Sequence, residues 1–121
     1  MKLNFRLALC ILPALTSTLA AQTNLYVAAD GSAPFKTVQA AIMAVPSGSN
    51  VNPVIIHVAP GIYKELIYIQ REKCFFKLVG ESATNTVLTY DLNANIKGPD
   101  GKPVGTFHTP TVTVDADYFS A

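Results

Sequence analysis

A chain of 121 residues, half of them hydrophobic and only 14% charged, has room for one domain and is too apolar to be disordered. Its formal charge of +1 gives no basic excess for a nucleic-acid partner, and none is expected.

The first twenty-one residues read as a signal peptide. Lys2 and Arg6 form a charged start, "LALCILPAL" is an apolar core of the usual length, and Thr18, Ala20 and Ala21 offer small residues for cleavage. The apolar run is shorter than the roughly 20 residues a spanning helix needs, so export outranks anchoring and no membrane contact is expected after cleavage. Removal leaves seven basic against eight acidic residues, a charge of −1. It also leaves Cys74 as the sole cysteine, which cannot form an internal disulfide. Cys74 opens an apolar run and reads as a small hydrophobe rather than a nucleophile. No spacing of His and Cys suggests a metal site, and no cofactor is expected.

Leu25 to Ala28 follow as a short strand, and Asp30-Gly31-Ser32 as a turn. From Thr37, the residues Val38, Ala41, Ile42 and Val45 mark one face of a short amphipathic helix that Pro46 ends. A helix this short is marginal alone and must dock on something larger. Beyond Pro53 the chain reads as strands: "VIIHVA" (54–59), "LIYI" (66–69), "FFKLVG" (75–80) and "VLTY" (87–90). Val54 to Phe75 and Leu66 to Val87 are both separated by 21 residues. Two strand types returning at one interval, with no two-residue hairpin loop, suggest stacked coils of parallel strands. A small antiparallel sandwich is the competing arrangement.

The rhythm then breaks. "NANIKGPDGKPVGTFHTP" precedes "TVTV" and carries about 15 residues more than the coil interval allows. Long excursions from a rigid scaffold are common binding sites. Within the first coil, Pro60-Gly61 reads as a corner, with Gly61 expected to use a φ that other residues avoid. Tyr63 and Glu65 lie two apart beyond it and are expected on one face. They are candidates for a saccharide groove; the plainer reading, which a tight corner favours, is that Tyr63 packs and Glu65 satisfies neighbouring backbone.

"VAADGSAPFKTVQAAIMAVP", "IIHVAPGIYKELIYI", "LVGESATNTVLTYD" and "GTFHTPTVTVDADYFSA", in that order, resemble the N-terminal portion of pectinesterases, from about Leu25 to Ala121. "GIYKE" matches the family's glycine-x-tyrosine-x-glutamate signature. The resemblance implies an all-β, right-handed parallel β-helix of the pectin lyase-like type, here its first coils with a short N-terminal capping helix. It further implies a secreted enzyme, extracellular or periplasmic and monomeric at full length. Such an enzyme hydrolyses the methyl esters of homogalacturonan in pectin and releases methanol without a metal or organic cofactor. The chain departs from the family at Ala33-Pro34, usually a small or acidic pair, and at Met43, often a carboxylate.

The resemblance also places a substrate-contacting threonine at Thr106, whose hydroxyl can both donate to and accept from a sugar. Phe107 beside it could offer a ring face; the plainer reading is a loop end and a covered sheet edge. His57 lies in a strand and reads as packing, and His108 lies in the loop. Ester hydrolysis through carboxylates needs a nucleophilic Asp, a second Asp as acid and base, and oxyanion donors. The family carries these in later signatures, so no catalytic residue is expected within residues 1–121. Asp115 and Asp117 match a non-catalytic turn. "DADYFSA" ends inside an expected strand, so residues 22–121 are expected to be the N-terminal part of a longer catalytic domain. The competing functions are a non-catalytic saccharide-binding or surface β-helix module, and another hydrolase or lyase on the same scaffold.

Overall fold

The computed structural model describes residues 22–121; the expected signal peptide lies outside the described residues. Seven strands and one helix follow in the order β1 (Thr23–Val27), α1 (Val38–Ala44), β2 (Val54–Val58), β3 (Gly61–Lys64), β4 (Ile67–Ile69), β5 (Phe76–Gly80), β6 (Thr86–Thr89) and β7 (Val112–Val114). All named strand pairs are parallel, which removes the antiparallel sandwich. The strands form three short sheets, β1-β2-β5, β3-β6 and β4-β7, so the coils β2-β3-β4 and β5-β6-β7 each turn through three sides.

The pairing corrects the expected repeat. Val54 lies opposite Phe76, close to the expected interval. Leu66 and Val87, however, belong to different sides of the coil. Val87 stacks on Ile62, and Ile67 lies opposite Val112, across the whole insertion. The equal spacing of the "LIYI" and "VLTY" runs is therefore coincidental. The strand that carries Tyr63 was hidden because "GIYK" is only four residues long, turns Ile62 outward and follows the corner directly.

Alternation puts one set of side chains inside. Val54, Ile56 and Val58 of β2, Ile67 and Ile69 of β4, Phe76 of β5 and Tyr63 of β3 form the core with Val27. Burying a large apolar side chain contributes roughly 1.5–3 kcal/mol, so these eight residues carry most of the driving force. The helix closes one end of this core with Val38, Ala41 and Ile42. Thr37 caps it, its hydroxyl accepting the Ala40 N–H at 3.2 Å. Gln39 faces the edge of β4 and acts as a surrogate strand: its Oε1 accepts the Tyr68 N–H at 2.8 Å and its Nε2 donates to the Tyr68 carbonyl at 3.1 Å. An edge that would otherwise offer open backbone groups is thereby covered.

Gly61 does not use left-handed backbone; the positive-φ glycines are Gly31, Gly101 and Gly105. A Cβ at Gly61 would meet the Ala29 Cβ and the Tyr63 ring at 3.5 Å, an ordinary contact. The left-handed positions of the coil are instead Phe75 (φ 58°) and Tyr118 (φ 56°), at the same turn of successive coils. Their rings stack at 4.4 Å and 4°. Such a backbone costs a bulky residue of order 1–3 kcal/mol, and the stack offsets part of that cost.

Candidate functional site

The insertion between β6 and β7 is not a structureless loop. The Val104 N–H donates to the Ile96 carbonyl, Gly98 N–H to Lys102 and Gly105 N–H to Ala94. Lys97 and Pro103 form an antiparallel bridge. The result is a two-stranded ribbon with its tip at Pro99-Asp100-Gly101, and the Asp100 carboxylate accepts the Lys102 N–H at 3.1 Å. After Gly105 (φ 81°) the chain makes a single 3-10 turn, Thr106–His108, and then enters β7.

Thr106 and Phe107 therefore sit together on that turn, just ahead of β7. The Thr106 side chain is exposed, and its carbonyl accepts the Thr109 hydroxyl at 3.2 Å. Phe107 is 96% exposed, the most open large hydrophobic side chain among the described residues. His108 is exposed beside it. An open hydroxyl next to an open ring can hydrogen-bond and stack on a sugar at once.

Tyr63 and Glu65 occupy a different place. Tyr63 is 3% exposed, and its hydroxyl donates to the Ala59 carbonyl at 2.8 Å, tying the corner to the core. The Glu65 carboxylate accepts the Val38 and Gln39 N–H groups at 2.8 and 3.0 Å. Both thus turn their polar atoms into the scaffold. Removing the hydroxyl separates the two readings of Tyr63. Tyr63→Phe is expected to cost about 1 kcal/mol of stability and leave saccharide affinity unchanged, measured by denaturant unfolding and titration calorimetry.

The remaining singled-out residues are structural or peripheral. His57 stands on the outer face of β2, stacked on Tyr26 at 4.9 Å, with its Nε2 3.0 Å from the Asn24 Oδ1. The Cys74 thiol is partly exposed and donates to the Arg71 carbonyl at 3.3 Å. Asp115 accepts the Tyr68 hydroxyl at 2.5 Å across β4-β7, and the Asp117 carbonyl accepts the Phe75 N–H. Among the described residues no group of three or more His, Cys, Asp or Glu could hold a metal ion, and no helix is long and apolar enough to cross a membrane.

Three groups titrate high. The Asp115 hydrogen bond raises Tyr68 above its usual 10.0, burial raises Tyr63, and the hydrogen bond with Asp91 raises Lys64 above 10.5. A folded pKa above the unfolded one contributes stability that is complete below the unfolded value and is lost as pH rises through the folded one. The melting temperature is therefore expected to fall as pH climbs past about 10, and less so in Tyr68→Phe, as followed by circular dichroism.

Three sides of short parallel strands, closed at one end by a helix and carrying an extruded ribbon, define a parallel β-helix. The family model Pectinesterase matches residues 24–121. The chain belongs to the pectinesterase family. A probable pectinesterase/pectinesterase inhibitor 23 of Arabidopsis thaliana is 40% identical over 100 residues, 83% of this chain and 16% of that protein. Pectin methylesterase PemA from Erwinia chrysanthemi superposes with a TM-score of 0.66 at 32% identity, over 83% of this chain and 29% of that one. A pectin methylesterase solved in complex with a hexasaccharide gives 0.61 at 31% identity, over 83% and 30%. The chain spans 16–32% of the length of the first curated relatives it matches.

Proposed function

We propose that this chain forms the first coils of a secreted pectinesterase with a right-handed β-helix, acting on methyl-esterified homogalacturonan and releasing methanol. Residues 1–21 direct export, and the mature protein is a monomer free of membrane. The hydrolytic carboxylates are not among residues 1–121. Thr106 contacts the sugar chain, and Phe107 stacks on it. Tyr63 and Glu65 hold the frame on which that site stands. The observation that carries this reading is the pairing of an exposed hydroxyl with a 96% exposed phenyl ring on one turn, at the β-strand entrance of a chain from this family.

The test is methanol release from esterified pectin by the protein that the complete reading frame encodes. Thr106→Val is expected to lower kcat/KM about tenfold, the loss of one hydrogen bond to substrate, with melting unchanged because the side chain is exposed. Equal activity in the variant removes Thr106 from the site. Pectin binding without methanol would favour the non-catalytic module.

A further inference from the structure

The ribbon that leads into Thr106 has features the ester chemistry alone does not use. Its hydrogen bonds are its own. Among the described residues, no hydrogen bond or ion pair joins residues 92–110 to the coil body. It leaves the body next to Asp91, which pairs with Lys64, and returns through Gly105, whose φ of 81° favours glycine and where an added Cβ would meet nothing within 4 Å. An element bonded only within itself and joined at two ends can swing as a unit.

Its tip is also charged. Lys97 and Lys102 are exposed, and neither forms an ion pair among the described residues. Asp100, which lies between them in sequence, is turned back by its bond to the Lys102 N–H. Ammonium groups on flexible stems attract ionised carboxylates and gain nothing comparable from a methyl ester. Resting on the reading of Thr106 above, the substrate is a polymer that carries carboxylates wherever esters have been removed.

We propose that the ribbon from Asn93 to Gly105 is a hinged strap that closes on the bound polyuronate and grips its ionised units through Lys97 and Lys102.

Hydrogen exchange on the full-length protein tests this, with fully de-esterified polygalacturonate and fully methyl-esterified homogalacturonan as probes. In the free protein, amides 94–105 are expected to exchange far faster than those of β2. Polygalacturonate is expected to slow them, and the methyl-esterified polymer is expected to leave them unchanged. Lys97→Ala/Lys102→Ala is expected to abolish that protection and to weaken polygalacturonate binding about tenfold at low salt, with less difference at high salt. Ribbon amides as slow as β2, or protection at 106–109 without any in the ribbon, would overturn the strap and leave the Thr106 reading standing. Equal protection by both polymers would overturn the carboxylate grip. No protection anywhere by either polymer would sink both readings together.

Discussion

Phe76→Ala is expected to destabilise the protein by about 3–5 kcal/mol, whereas Phe75→Ala, one residue earlier, is expected to cost about 1 kcal/mol or less. Phe76 is 1% exposed and the largest of the fully buried side chains. It faces the core opposite Val54 of β2, so truncation leaves a cavity that strands held on both sides cannot collapse to fill. Phe75 is only partly buried and holds a left-handed backbone. Its replacement loses the stack on Tyr118, while alanine meets the same φ penalty. Denaturant unfolding of the two single variants measures the difference. Similar losses would mean that the Phe75–Tyr118 pair, not the interior, holds successive coils together.

That pair of adjacent phenylalanines shows what the sequence could and could not disclose. "CFFKLVG" is legible as a strand because its apolar, β-rich run is bounded by turn residues. Which phenylalanine faces inward depends on where the strand begins, and one residue of register exchanges the two faces. The parallel stacking was legible from the return of β2 as β5. The pairing on the other two sides was not, because corners of different lengths separate the sides and raw spacing cannot tell one side from another. The ribbon was legible only as an excess of glycine and proline; its internal ladder needs coordinates.

Of the candidate site, Thr106 emerged from the family resemblance and Phe107 from the ring face it offers beside that threonine, and the structure sets both on an exposed turn. The partners of Glu65 had no local signal, since the helix it caps lies 27 and 26 residues earlier in the chain. Gln39 was equally silent. A polar residue on an amphipathic helix reads as solvated, yet here its amide completes the edge of β4.

Glu65→Ala is the second change expected to have a large effect, about 2–4 kcal/mol. The first N–H groups of any helix lack intrahelical partners. In α1, which spans only seven residues, they are a large share of its backbone. Thr37 supplies an acceptor for Ala40, and Glu65 supplies both oxygens for Val38 and Gln39. Bonds of an N–H to an ionised group contribute about 1.5–3 kcal/mol each, and the negative charge lies at the positive end of the helix. Because α1 also covers the core through Val38, Ala41 and Ile42, a loosened first turn weakens its packing against β1, β2 and β4. Glu65→Gln keeps one acceptor and the shape of the side chain, so it is expected to cost about half as much. A double-mutant cycle with Gln39→Ala should show coupling, since Glu65 holds the backbone of the residue whose side chain secures β4. Were Glu65→Ala instead to leave unfolding unchanged while weakening pectin binding, the carboxylate would belong to the saccharide groove and not to the helix.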